Sequence, residues 1–147
     1  MFDFRCKMDD VDSARGQPVD NQELQGRTKQ FALRVFKLVD ALPRTPVGRA
    51  VANQLVRSAT SVGANYRAAC RARSRAEFAA KLGTVLEEPD ESLYWLELIR
   101  EGKLIADSEL SLLLKEADEL TAILVAGRKS VAVNTSNIKH RTSYIPS

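Results

Sequence analysis

The chain of 147 residues contains a single histidine, His140, close to its C-terminal end. A di-iron site of the kind helical bundles hold needs Glu-x-x-His pairs on facing helices, and one histidine cannot supply them. The same scarcity leaves Cys70 with no histidine near it in sequence to act as a base. Only two cysteines occur, Cys6 in a polar leader and Cys70 in a helical pattern. That count excludes a disulfide framework and fits a reduced, cytosolic (cytoplasmic) protein. No run of 18 apolar residues is present, so no membrane span is expected. The opening MFDFRCKMDDVD carries acids where a signal peptide would carry an apolar stretch. There is no glycine-rich phosphate loop and no Walker signature. No segment alternates with the period of a strand. The usual routes to catalysis are therefore closed, and neither a cofactor nor a metal is expected.

What is present is segregated charge. The net charge of +3 is a weak signal by itself. From Arg44 to Lys81, however, there are eight basic residues and one acid, Glu77, and from Glu87 to Glu119 eleven acids and three bases. Such blocks pair across helices or subunits, or leave a basic face free for phosphate.

The stretch from Asn53 to Glu97 carries most of this pattern. Leu55, Ala59, Val62, Tyr66 and Ala69 recur at spacings of 4, 3, 4 and 3, an apolar helical stripe. Beside it runs a polar row of Gln54, Ser58, Ser61 and Asn65. The row can be solvated or can be a hydrogen-bonded helix contact. The alanines at 50, 52, 59, 64, 68 and 69 favour a contact, because small residues let backbones approach.

Taken in order, residues 1–25 read as a flexible leader. A first helix is expected from Gly26–Thr28 to about Leu42, with Thr28 as N-cap, Phe31, Val35, Leu38 and Leu42 as its stripe, and Pro43 as its stop. Thr45 and Pro46 predict the start of a second helix that runs to about Arg71. Ser74 followed by Glu77 fits a capping box for a third, from Arg75 to about Arg100. Pro89 falls inside it at a cost of about 3 kcal/mol unless the helix kinks there. The stripe stays in phase beyond the proline, so one kinked helix is expected and not two. Gly102 is the C′ candidate. Asp107 or Ser108 caps a fourth helix, Leu110 to Leu124 gives it a broad apolar face, and Gly127 ends it. Residues 129–147 read as a loose tail whose Lys129, Lys139, His140 and Arg141 are solvated. The expected architecture is all-α, an antiparallel up-down four-helix bundle over residues 26–128.

Two clusters are candidates for function. Arg49, Arg67, Arg71, Arg73, Arg75 and Lys81 could neutralise phosphates, giving salt-dependent, sequence-tolerant binding. Only Tyr66 is interleaved with them, so base stacking is poorly supported. Arg57 lies in an apolar helix and is expected to pair with Glu87, Glu88 or Glu91, whereas Arg71, Arg73 and Arg75 sit at a helix connection and are expected to stay free. Glu87, Glu88, Asp90 and Glu91 lie on one helix, which suits ion pairs or solvation better than a metal. Cys70, with Arg67, Arg71 and Arg73 around it, could be an activated thiol, but a structural cysteine fits its pattern better.

The run NQLVRSATSVGANYRAAC, then RSRAEFAAKLGTVLEEPDESLYWLE, then LLKEADELTAIL resembles the 23S rRNA intervening-sequence proteins, a bacterial four-helix-bundle family. The resemblance covers about Arg27 to Lys129. It rests on Asn53-Gln54-Leu55, Arg57-Ser58, Ser61, Ala64-Asn65, Phe78, Lys81-Leu82, Glu87-Glu88, Asp90-Glu91 and Trp95-Leu96-Glu97. It implies a ring-like homopentamer. It also implies kinship with the accessory variability protein of diversity-generating retroelements, which works with a reverse transcriptase and nucleic acid. Pro89 departs from the family pattern. In such a ring, a basic second helix can face an acidic third helix of the next subunit. Gln54, Arg57, Ser58, Ser61, Asn65, Glu87, Glu88, Asp90, Glu91 and Trp95 would then serve packing or assembly. The expectation is a non-enzymatic homo-oligomer that binds RNA or DNA through its basic surface. The alternative is a scaffold ring that recruits a protein partner and binds no nucleic acid.

Overall fold

The computed structural model of the protein describes residues 20–106 and 108–142, and for 132–142 the backbone. Four helices follow one another: α1 (Asn21–Asp40), α2 (Pro46–Ala69), α3 (Arg75–Glu101) and α4 (Leu110–Thr142). No strand occurs among the described residues. Each helix packs on its neighbours in sequence, and α1 closes on α4. The last turn of α2 lies beside the start of α1, where Tyr66 Oη donates to Asn21 Oδ1 at 3.0 Å.

The apolar stripes form the core. Phe31 and Val35 of α1 and Leu55, Ala59, Val62 and Tyr66 of α2 are fully buried. So are Phe78, Leu82, Val85 and Leu96 of α3, and Leu110, Leu113, Ala117, Leu120 and Leu124 of α4. Each large side chain so buried contributes about 1.5–3 kcal/mol. α3 is one helix through Pro89, which is itself buried.

The caps of α2 and α3 are the expected ones. Thr45 accepts from the Gly48 N–H at 3.1 Å with Pro46 in the first turn, and Ser74 accepts from the Glu77 N–H at 3.1 Å. Glu77 returns the bond to the N–H of Arg73 at 2.9 Å.

Three boundaries differ from expectation. α1 begins at Asn21, capped by Asp20. Thr28 is not its cap: it is buried inside the helix, its Oγ1 donating to the Gln25 carbonyl at 2.9 Å. A methyl on Gly63 of α2 would lie 3.2 Å from that oxygen, which is why the two helices come so close there. α4 continues past Gly127 to Thr142, so the segment read as a loose tail from 129 is helical through 142. The remainder, 143–147, and the cap candidate Asp107 lie outside the described residues, as does the leader up to 19.

The third difference is at the end of α3. Gly102 is the C-cap in right-handed conformation, and the residue with positive φ is Lys103, at 52°. Lys103 N–H donates to the Arg100 carbonyl and Leu104 N–H to that of Ile99, both at 3.1 Å, a Schellman closure. A side chain in this conformation costs about 1 kcal/mol. Lys103→Gly is therefore expected to raise stability by about 0.5–1 kcal/mol, read as a higher urea midpoint at unchanged slope.

Candidate nucleic-acid interface

α2 ends at Ala69, the chain turns through 70–74, and α3 starts at Arg75. Ala69 and Ala72 are buried, which anchors the inner side of the turn. Arg67, Arg71, Arg73 and Arg75 alternate with them and are exposed. The turn is tied to α1 through one acceptor. Asn21 Oδ1 receives the Tyr66 hydroxyl at 3.0 Å and the Cys70 thiol at 3.1 Å. Cys70 thus serves a structural bond. Among the described residues, no carboxylate lies within ion-pair distance of the Arg67, Arg71, Arg73 or Arg75 side chains.

The other two basic candidates do not join this group. Lys81 pairs with Glu77 at 3.2 Å. The Arg73 backbone N–H, chiefly, and Lys81 after it hold the Glu77 carboxyl below the usual carboxylate range. Arg49 is exposed in the first turn of α2. Eighteen residues of helix, about 27 Å, separate it from Arg67.

The candidates for packing are brought together in part, in the seam between α2 and α3. Arg57 pairs with Glu91 and lies 4.0 Å from Glu88. Gln54 Oε1 accepts from Arg57 at 3.3 Å, and Trp95 Nε1 donates to Glu91 at 3.2 Å. Deeper in the seam, Ser92 Oγ lies 2.9 Å from Ser58 Oγ, both fully buried. Ser61 bonds its own helix, donating to the Arg57 carbonyl. Asn65 is half-buried, and Glu87 and Asp90 face solvent. The carboxyl of Glu88 is held above the usual range, first by burial, then by the charge of Glu91, with Arg57 opposing and Glu87 adding. Its Oε2 has no hydrogen-bond partner.

Three participants were not singled out in the sequence. Asn21 fell in the expected leader. Ser92 is a serine in a core position. The Arg27 guanidinium clamps α1 to α4, with Nη2 2.9 Å from Glu116 and 2.8 Å from Glu119. The spacing of Glu116 and Glu119, three residues apart on one helix face, marks an acceptor pair in the sequence but not its partner.

Among the described residues, no three His, Cys, Asp or Glu side chains converge as metal ligands. No described helix is long and apolar enough to cross a membrane.

A family model described as 23S rRNA-intervening sequence protein matches residues 20–126. The chain is also similar to a crystal structure of a protein of unknown function from the S23 ribosomal protein family of Bacteroides thetaiotaomicron. The two share 31% identity and a TM-score of 0.68, over 74% of this chain and 97% of that one. No curated protein matches the sequence.

Proposed function

Since this chain belongs to the 23S rRNA-intervening sequence protein family, we propose that it is a non-enzymatic, self-associating helical bundle that grips the phosphate backbone of nucleic acid with Arg67, Arg71, Arg73 and Arg75. The observation that carries this reading is that these four exposed guanidinium groups share one short helix connection and none is paired with a carboxylate among the described residues. Three other basic side chains are spent on carboxylates: Arg57 on Glu91, Arg27 on Glu116 and Glu119, Lys81 on Glu77. Unpaired arginines held on a fixed backbone suit phosphate, which they can bind bidentately. Self-association is supported by Leu33 and Phe36, one turn apart on the outer side of α1 and 44% and 40% exposed.

Fluorescence anisotropy of labelled RNA and DNA, titrated with salt, tests the reading. Four phosphate contacts per subunit predict a log–log salt slope near −3.6, so affinity falls about 100-fold between about 50 and 200 mM salt. Reversing Arg71, Arg73 and Arg75 to Glu abolishes the binding, whereas Lys37→Gln, at the far end of α1, leaves it unchanged. Light scattering gives wild type and variant the same multiple of 16.3 kDa. No binding at low salt, or binding indifferent to the three reversals, overturns the proposal.

A further inference from the structure

We infer that this arginine surface takes double-helical nucleic acid in preference to single strands. The inference rests on the phosphate-binding reading just given and adds the form of the ligand. Surfaces that hold single strands pair a basic groove with aromatic side chains on which bases stack, and each stacked base is worth about 5- to 150-fold in affinity. The arginine surface here has no such platform among the described residues. Tyr66 and Phe78, the aromatics closest in sequence to the four arginines, are fully buried. Tyr94 is 54% exposed, but it stands 19 residues along α3 from Arg75, about 28 Å away. Phe36 lies near the other end of α1 from Asn21, the residue that meets the connection.

The backbone beneath the arginines is preset. Arg67 stands in the last turn of α2 and Arg71 directly follows its C-cap, Cys70, its N–H held by the Ala68 carbonyl at 3.1 Å. Asn21 pins the turn between them through Tyr66 and Cys70, and Arg75 opens α3 on the other side. A duplex is stiff and offers its phosphates at fixed positions, one charge per about 1.7 Å of axis. A fixed array of cations meets it without ordering either partner. A single strand offers half that charge density and must lose its own freedom to match the array. Bases inside the duplex stay stacked on each other and need no platform from the protein.

The test uses the full-length protein in its native assembly and four labelled probes of about 20 nucleotides or base pairs: duplex RNA, duplex DNA, unstructured single-stranded RNA and oligo-dT. Both duplexes are expected to bind at least tenfold more tightly than the single strand of the same sugar at about 100 mM salt. Whichever duplex binds more tightly identifies the natural source of the phosphates. Arg73→Gln, in the exposed turn and outside the core, is expected to weaken the duplexes more than the single strands, with its fold checked by circular dichroism. Single strands binding as tightly as duplexes overturn the inference while leaving phosphate binding intact. If no probe binds even at low salt, the phosphate-binding reading fails and takes this one with it.

Discussion

Gly48→Ala is expected to destabilise the bundle by about 2–3 kcal/mol and to lower its melting temperature by about 10 °C, although alanine is the better helix former by about 1 kcal/mol. Gly48 sits in the first turn of α2, buried under the link from α1. A Cβ at this position would come 1.9 Å from the carbonyl oxygen of Pro43 and 3.0 Å from its carbon. These are backbone atoms, so no rotamer change relieves the contact. The link has little room to move. On one side Leu42 is anchored in the core, 6% exposed. On the other, Thr45 caps the helix through the N–H of Gly48 itself. Withdrawing the Pro43 carbonyl pulls on the first or breaks the second, and the loss of such a cap alone costs about 1 kcal/mol.

Gly26→Ala is the internal control. It lies inside α1 with nothing within 4 Å of its would-be Cβ. It is expected to stabilise by about 1 kcal/mol, the propensity difference undiluted. Both variants are to be melted at one protein concentration, because association shifts the transition. A Gly48→Ala protein as stable as wild type would mean that the α1–α2 link does not fold back onto α2 as described.

By helix propensity alone Gly48 is a plain cost, and that is where reading a chain by pattern stops. Pattern reads well where one residue class recurs. The stripes of α2 and the first half of α4 were legible because every position is apolar. Thr45 and Ser74 were legible because a capping residue stood beside a proline or three residues ahead of a glutamate. It fails where a core position holds a residue that looks like punctuation. Leu24, Thr28, Phe31 and Val35 are one stripe at spacings of 4, 3 and 4, all buried. Thr28 breaks the pattern because threonine also caps helices, and a helix capped there starts about two turns later than α1 does. Leu120, Leu124, Gly127 and Val131 continue α4 in the same way, and Gly127 was read as a stop although it is a buried member of the stripe. Ser92 hid the position that follows Pro89. In the candidate site, the sequence places Arg71, Arg73 and Arg75 at a helix connection and leaves Arg67 within α2. That Arg49 lies at the opposite end of α2 follows from helix length. The closing of Arg27 on Glu116 and Glu119, across 89 and 92 residues, depends on how far α1 slides along α4, which no local signal sets.

Arg57→Glu is expected to cost about 2 kcal/mol at neutral pH, and the loss is expected to shrink as the solution is acidified. The Arg57 side chain is 52% exposed, so water screens its pair with Glu91 and that pair alone is worth less than about 1 kcal/mol. The larger effect falls on Glu88, whose side chain retains only 17% of its surface and whose Oε2 has no hydrogen-bond partner. The charges facing it are Glu91 and Glu87 from its own helix and Arg57 from α2, and only Arg57 favours its ionised form. The folded-state pKa is raised, so the native protein holds the Glu88 proton more tightly than the unfolded chain. The contribution of this group to stability is full below the unfolded value of about 4.3 and is lost as pH rises through the folded value. Reversing Arg57 removes the one opposing charge, raises the folded value further and widens that window. Glu88→Gln should act in the opposite sense, stabilising by about 0.5–1 kcal/mol at pH 7 and by nothing near pH 4, because it removes a charge that burial disfavours. Thermal melts of wild type and both variants between about pH 4 and 8 give the three curves to compare. Glu88→Gln proving destabilising at pH 7 would show that the seam holds the carboxylate in its charged form. Glu88 lies 13 residues along α3 from Arg75, about 20 Å away. The same Glu88→Gln protein should therefore bind nucleic acid with wild-type affinity, which separates the stability of the α2–α3 seam from the work of the connection it supports.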